Sequence, residues 1–505
     1  MAETKREIER KYEATGETPL PDLTKVRGVA EVADRGVMEL DAVYYDTPDL
    51  RLAADALTLR RRTGGSDAGW HVKFPVAAGV RDEIRAPLTD TLPGELAGLL
   101  RSRVRGGTVV PVVRLRSARD VRHLRTADGT LLAELSVDTV HAERLPGGTV
   151  ATWTEIEVEL ADGIDDPALL DAVGRRLGKA GIRPSASPSK LARALAETGP
   201  GPEPAPAPGK PGTAGAAVLA YVREQADAIV ALDPAVRRDL PDAVHRMRVA
   251  CRRLRGAFRT YRRVLDRAAT DPVGVELKWL AGELGVARDQ EVLDARLSAR
   301  VEELTPALTL GPVQARLRRR DAALARNARQ QALTALDSDR YLALLDSLAV
   351  LLADPPLRKD ARRDARKVLA RAVREDHDRL GRRIGHALAL APGHERDLAL
   401  HEARKAAKRA RYAADAARPA LGRPAKRLAK RVKAVQTLLG EHQDAVVARA
   451  ALREFGIMAH GVGESAFTWG LLYGREEAAA AAAERELPRV WARASAPDLR
   501  AALTR

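Results

Sequence analysis

Residues 199–215 read GPGPEPAPAPGKPGTAG. Proline supplies no backbone donor, and the run has no periodic apolar face, so it reads as a semi-extended interdomain linker. It separates two segments with different hydrophobic periods. Residues 1–198 alternate with period 2, as in Glu7-Ile8-Glu9-Arg10-Lys11-Tyr12, Leu57-Thr58-Leu59-Arg60-Arg61-Arg62 and Glu155-Ile156-Glu157-Val158-Glu159-Leu160. Turns such as Thr63-Gly64-Gly65-Ser66-Asp67 and Ala127-Asp128-Gly129 lie between such runs, as in hairpins. Residues 216–505 instead follow helical periods rich in Ala, Leu and Arg, broken at Pro and Gly. The expected class is α+β and multidomain: an antiparallel β-domain with a few helices, one over 165–181, then an all-α domain.

Composition agrees. Aromatic residues are 3% of the 505, so cores must be built from Leu, Val and Ala, which favours helices over a large β-sandwich. The single cysteine, Cys251, excludes a disulfide scaffold and a Cys-based zinc cluster and points to a reducing cytoplasm. The first residues, MAETKREIERKY, lack the apolar core of a signal peptide. No run of 18 apolar residues offers a membrane span. Charge is uneven: residues 1–200 hold 29 Lys+Arg against 31 Asp+Glu, a net −2, and the other 305 hold 56 against 38, a net +18. The second half should therefore attract a polyanion.

Strand alternation sorts the charges of the first half onto faces. Glu7, Glu9 and Lys11 share one, Arg60 shares one with Arg62, and Arg114 shares one with Arg116. Glu134, Ser136 and Asp138 share another, as do Glu155, Glu157 and Glu159, while Lys73 stands in Trp-His-Val-Lys-Phe. Charged faces usually meet water and apolar ones the core. Here the cationic and acidic strands are segregated, which suits a barrel with a polar interior. Cations on one wall would grip phosphate oxygens, and carboxylates on another would hold a hard divalent ion such as Mg²⁺ or Mn²⁺. Arg81, Glu83 and Arg85 alternate and add a further wall. His71 and His123 have no Ser or Asp placed for a hydrolase triad and read as surface or structural residues.

Glu7-Ile8-Glu9-Arg10-Lys11 resembles the Glu-x-Glu-x-Lys signature of the CYTH domain, the triphosphate tunnel metalloenzymes. Tyr45-Asp46-Thr47-Pro48, Leu59-Arg60-Arg61-Arg62, Lys73 and Glu155-Ile156-Glu157 follow in that family's order. The resemblance spans about 3–197. It implies that Lys11, Arg60, Arg62, Lys73, Arg114 and Arg116 grip a triphosphate. It further implies that Glu7, Glu9, Glu134, Asp138, Glu155 and Glu157 hold Mg²⁺ or Mn²⁺, with Glu7, Glu9 and Lys11 closest to the chemistry. Lys190 is a further phosphate contact or a helix-surface lysine.

The helical half repeats itself. His245-Arg246-Met247-Arg248-Val249-Ala250-Cys251-Arg252-Arg253-Leu254-Arg255 returns 156 residues later as His401-Glu402-Ala403-Arg404-Lys405-Ala406-Ala407-Lys408-Arg409-Ala410-Arg411. Leu284-Gly285, then Arg288-Asp289, follows the first; Leu439-Gly440, then Gln443-Asp444, follows the second. Such a repeat implies two related helical bundles. Offsets 0, +3, +7 and +10 lie on one helix face. His245, Arg248, Arg252 and Arg255 thus form a stripe about 15 Å long, and His401, Arg404, Lys408 and Arg411 a second. Like charges along a helix face repel, so two facing stripes call for an anion. Asp289 and Asp444 either orient these cations or serve as caps and ion pairs.

These paired His-x-x-Arg helices resemble the conserved histidine α-helical domain, CHAD, over 216–505. The resemblance implies binding of inorganic polyphosphate by His245, Arg248, Arg252, Arg253, Arg255, His401, Arg404, Lys405, Lys408, Arg409 and Arg411, with Lys426 and Lys430 on the basic wall or on a solvated face. The expected whole is a cytoplasmic, metal-dependent triphosphatase joined to a polyphosphate-binding domain, with association to polyphosphate granules as a corollary. Its rivals are a non-catalytic polyphosphate binder and a nucleic-acid binder. Base stacking has only Tyr261 and Tyr412 near the stripes to draw on, which disfavours the last.

Overall fold

A computed structural model describes residues 3–65, 67–203 and 209–503, without the side chains of residues 3, 286–290 and 320–325. The middle of the expected linker, 204–208, and the side chains of Arg288 and Asp289 lie outside the described residues. The chain forms two compact units, Met1–Ala205 and Pro206–Arg505.

In the first unit eight strands close into a barrel. They are β1 (Glu3–Ala14), β2 (Glu31–Asp46), β3 (Thr58–Thr63), β4 (Gly69–Ala77), β5 (Val80–Ala86), β6 (Val110–Arg125), β7 (Leu131–Arg144) and β8 (Val150–Leu160). The order around the barrel is β1-β5-β4-β3-β2-β6-β7-β8, and the paired strands are antiparallel. β1 closes it by pairing with β5 through Ile8 and with β8 from Glu9 onward. Gly79, at the β4–β5 turn, makes that handover possible. Its carbonyl accepts from Glu9 N at 2.9 Å. Its φ is +69°, and a Cβ there would lie 2.6 Å from Glu9 O, so only glycine fits.

Helices α1 (Arg51–Ala54), α2 (Gly94–Val104), α3 (Pro167–Lys179) and α4 (Lys190–Thr198) complete the unit. α2 covers the outer apolar faces of β3–β5 through Leu96 and Leu100 against Leu59, Val72 and Ile84. α3 covers β1, β7 and β8 through Leu170, Val173 and Leu177 against Tyr12, Leu135, Ile156 and Val158. Burying each such leucine is worth about 1.5–3 kcal/mol. With both outer faces sealed, the other parity of each strand points inward. α4 fills one end of the barrel: Leu191 and Leu195 pack on the inward-facing Tyr44, Val113, Leu115, Val140 and Trp153.

The second unit is helical: α5 (Ala214–Arg237), α6 (Ala243–Thr260), α7 (Arg267–Glu283), α8 (Gly285–Glu302), α9 (Val313–Asp337), α10 (Asp339–Ala353), α11 (Ala365–Ala389), α12 (His394–Ala416), α13 (Arg418–Leu421), α14 (Arg423–Gly461), α15 (Phe467–Ala494) and α16 (Pro497–Ala501). The repeated segments fall on α6 and α12. Met247, Cys251 and Leu254 of α6 and Leu400, Ala403 and Ala407 of α12 enter one continuous core. Tyr261 Oη donates to Ala413 O at 2.9 Å across the pair. The Leu-Gly step breaks α7 from α8, but α14 runs unbroken through Leu439-Gly440, so the step shared by the two repeats interrupts a helix in only one. What the two glycines share is a close neighbour. A Cβ at Gly285 would lie 3.2 Å from Arg248 Nη2, and one at Gly440 3.7 Å from Arg404 Nη2. Each glycine thus faces the guanidinium of the arginine three residues after the histidine of its own repeat.

Candidate functional site

The barrel interior holds a polar cavity of about 410 Å³. Its lining follows from strand parity. β1 contributes Lys5, Glu7, Glu9 and Lys11, β3 contributes Arg60 and Arg62, and β4 contributes Lys73. β5 adds Arg81 and Arg85, β6 adds Arg119 and His123, β7 adds Glu134, β8 adds Glu157 and Glu159, and α4 adds Lys190. The arc β5-β4-β3 is mainly cationic and the arc β7-β8-β1 mainly acidic.

Each carboxylate meets a cation of the chain. Lys73 Nζ lies 2.7 Å from Glu7 and 3.4 Å from Glu83. Lys11 bridges Glu9, at 3.0 Å, and Glu157. Arg119 lies 2.7 Å from both Asp138 and Glu157. Lys190 is buried among Asp138, Glu155 and Glu157 at 3.0, 2.9 and 2.6 Å. Of the two readings open for it, the helix-surface one is excluded. Despite burial, these carboxylates hold its ammonium above the ordinary lysine range. Trp153 donates to the second oxygen of Glu155 at 2.6 Å.

Electrostatics differ along the walls. Burial lifts Glu7 above the usual carboxylate range, against the pull of Lys73. Burial acts the same way on Glu9, but Lys11, Lys73 and Arg81 together outweigh it and hold that group low. Glu157 is held well below the usual range by Lys11, Lys190 and Arg119, although buried. On the cationic arc, burial with Arg60 and Arg119 nearby pushes Arg62 down to about 9. A guanidinium so placed gains from an incoming anion.

Two expectations for β6 are corrected. Arg114 and Arg116 lie outside the barrel, where Arg114 Nε meets Asp41 at 2.9 Å. Leu115, between them, points inward onto α4. The inward arginine of β6 is Arg119, which the alternation argument passes over. His123 also lines the cavity, 3.7 Å from Glu134, so it is not a surface residue. His71 is buried and structural: Nδ1 is 2.8 Å from Glu83 and Nε2 2.9 Å from Asp67 O. Burial takes it down to about 4, against the Glu83 hydrogen bond. Glu83, 0% exposed, anchors the cationic arc, with Arg60 at 3.2 Å and Arg85 at 2.5 Å.

Mg²⁺ and Mn²⁺ prefer hard oxygen donors. The acidic arc supplies carboxylates only, so the donor chemistry fits. In the described structure, lysine ammonium groups share those oxygens.

In the helical unit the two stripes converge. Burial pushes Lys408 down to about 7, reinforced by Arg404 on its own helix and by Arg252 and Arg248 on α6, with Asp444 opposing. The Nε atoms of Arg252, Arg404 and Arg411 are buried without a hydrogen-bond partner, an arrangement an anion would relieve. In the second repeat His401 Nδ1 is 2.5 Å from Gln443 and Arg404 is 3.7 Å from Asp444. Arg255, lowered by burial and by Arg259, extends the first stripe. Three candidates sit apart from it. Lys405 is exposed and pairs with Glu402 at 2.7 Å. Arg409 is spent on Asp376, at 2.9 Å, and on Arg259 O. Arg253 stacks on Tyr412 at 5.7 Å. Lys426 and Lys430 are exposed, and Lys426 borders a shallower cavity with Arg253 and Arg423.

One pH effect follows. Lys408 is half charged near pH 7 before any anion arrives, and a bound polyanion keeps it protonated. Polyanion affinity should therefore rise as pH falls from 8 to 6, with net proton uptake at pH 7.5. Calorimetry in buffers of different ionisation enthalpy measures that uptake. Lys408→Arg should flatten it.

The CYTH domain family matches residues 5–195 and the CHAD domain family residues 220–453. Over 500 residues the chain is 38% identical to the uncharacterised Mycobacterium tuberculosis protein Rv2226 (strain H37Rv), covering 93% of this chain and 92% of that one. Among solved structures, PptA from Streptomyces chartreusis is 24% identical, with a TM-score of 0.48 over 55% of this chain and 99% of its own. The CHAD domain of the plant Ricinus communis is 26% identical, with a TM-score of 0.45 over 59% of this chain and 98% of its own. Among the described residues, no helix is long and apolar enough to cross a membrane. The two domain matches and the relative shared over nearly the whole chain show the family: the chain belongs to the family of proteins that join a CYTH domain to a CHAD domain.

Proposed function

We propose that the barrel hydrolyses inorganic triphosphate or a related phosphoanhydride with Mg²⁺ or Mn²⁺, and that the helical unit binds inorganic polyphosphate. The observation that carries the reading is the closed barrel with opposed cationic and acidic arcs around a cavity of about 410 Å³. Arg60, Arg62, Lys73, Arg81 and Arg119 would hold the phosphate oxygens and fix the chain of phosphates along the cavity. Glu9, Glu134, Asp138, Glu155 and Glu157 would hold the divalent ion, which when bound neutralises charge on the phosphate oxygens. Glu7, the carboxylate that burial makes more basic, is the one suited to take a proton from the attacking water. Location in the cytoplasm with polyphosphate belongs to the same proposal.

Phosphate release from inorganic triphosphate tests it, wild type beside Glu7→Ala/Glu9→Ala. Metal-dependent turnover should fall by at least about 100-fold in the double variant. Well-folded wild type that releases nothing with either metal would sink the hydrolase reading. That outcome would favour a second one, a barrel that binds without turnover, which the engagement of Lys11, Lys73 and Lys190 with the acidic arc supports.

The barrel geometry adds a contrast. Arg119→Ala should lose at least about 100-fold in kcat/KM. Arg114→Ala/Arg116→Ala should stay within about 2-fold of wild type, since exterior charge pairs contribute little. Loss in the exterior pair would reverse the inward and outward faces of β6.

A further inference from the structure

The helical unit contains a second cluster of ligand-type side chains, different in chemistry from the cationic stripes. Asp397 in the first turn of α12, His442 of α14 and Glu484 of α15 place one donor atom each within 4.8 Å of one another. His442 is 2% exposed. Its Nε2 lies 3.2 Å from Asp397 Oδ1 and 3.3 Å from Glu484 Oε1. The other oxygen of each carboxylate is held from outside: Arg449 meets Asp397 Oδ2 at 2.9 Å, and Arg396 meets Glu484 Oε2 at 2.9 Å.

We propose that Asp397, His442 and Glu484 form a binding site for a divalent transition-metal ion, with zinc the best fit. The first argument is distance. An N–H···O hydrogen bond centres on about 2.9–3.0 Å, and one Nε2 proton cannot serve two carboxylates well. Both separations exceed that mode. Metal–ligand bonds of about 2.0–2.1 Å place neighbouring ligand atoms ~2.8–3.4 Å apart, the octahedral separation at the lower end and the tetrahedral at the upper. The observed 3.2 and 3.3 Å already lie in that range. The second argument is orientation. The two arginines each fix one carboxylate oxygen and turn the other inward, as outer partners do around metal sites. The third is chemistry: one imidazole with two carboxylates suits zinc, manganese or cobalt, whereas magnesium prefers oxygen alone. Side-chain exposures of 16% at Asp397 and Glu484 leave a route in and room for water ligands.

The site ties α12, α14 and α15 together. Asp397 stands one turn before His401, and His442 stands beside Gln443, which holds His401. A bound ion would brace the second cationic stripe at its N-terminal end. The inference is independent of the hydrolase proposal, because it uses no barrel residue.

The test is titration of the full-length chain with Zn²⁺ by calorimetry, and with Co²⁺ by visible absorption, in excess Mg²⁺ to fill the all-oxygen barrel carboxylates. One equivalent should bind that Mg²⁺ does not displace. His442→Ala and the near-isosteric Glu484→Gln should each weaken it at least about 100-fold while retaining wild-type circular dichroism. Should either variant misfold, the wild-type Co²⁺ complex still decides: a hyperfine-shifted histidine proton assigned to His442 supports the site. Wild type that binds no such equivalent, that equivalent retained in both variants, or no His442 signal would overturn the proposal.

Discussion

In Lys190→Met the barrel should lose about 3–5 kcal/mol at pH 7, the cost of stranding buried charge when one partner is removed. Lys190 touches Asp138, Glu155 and Glu157 at 2.6–3.0 Å, and its side chain is 10% exposed. Methionine keeps the length of the side chain and removes the ammonium. Hydrogen exchange read by mass spectrometry would localise the effect, with protection falling on β7 and β8 and unchanged in the helical unit. The pH dependence carries the sign. In wild type Asp138 and Glu157 are held low by Lys190 and other cations. Their stabilising contribution is therefore full above the ordinary carboxylate range and lost as pH falls through their depressed values. In the variant the same carboxylates are short of a cation, so lowering pH from 7 toward 5 should recover part of the loss. Millimolar Mg²⁺ should recover it too if the acidic arc binds the ion. A variant as protected as wild type would mean that Lys11 and Arg119 alone neutralise the arc.

The second large effect concerns the helical unit. Arg252→Glu/Arg404→Glu should reduce polyphosphate affinity by at least about 100-fold near 0.1 M salt, or about 2.7 kcal/mol. Both guanidinium groups have a buried Nε without a partner and both act on Lys408, so reversal puts carboxylates among the remaining cations. The salt dependence of the residual binding should become shallower, because fewer phosphates are neutralised. Lys405→Glu should cost far less, since Lys405 is exposed and already paired with Glu402. Filter retention of labelled polyphosphate at several salt concentrations measures all three. Equal losses in Lys405→Glu and the double variant would mean that net charge, not the converging stripes, sets affinity.

The sequence carried the two architectures because their periods differ, 2 before the proline run and 3.6 after it. Parity also identified the inward charges on β1, β3, β4, β7 and β8, where one face is charged and the other apolar. It failed on β6 for a physical reason. The end of the barrel filled by α4 is apolar inside, so Leu115 faces in and Arg114 and Arg116 face out. Farther along the same strand the interior is charged, and Arg119 faces in. One strand thus changes what its inward parity means, and the residue that causes the change, Leu191 of α4, lies 76 positions after Leu115. The carboxylate partners of Lys190 and the Asp397–His442–Glu484 cluster were hidden similarly, since each joins segments distant in sequence. The helical stripes were legible because each lies within one helix. The diversion of Arg409 to Asp376 was not, because Asp376 belongs to α11.

The position of Lys190 also bears on the order in which this protein is made. β1 is made before the other strands, yet its outer edge waits for β8, which is complete only at Leu160. Thirty residues later comes the lysine that neutralises Asp138, Glu155 and Glu157. Until then Asp138 and Glu157 have, among the described residues, only Arg119 and Lys11 as ion-pair partners. The full set of ion pairs on the inner wall is therefore complete only after residue 190 has been made, late in the synthesis of the first unit.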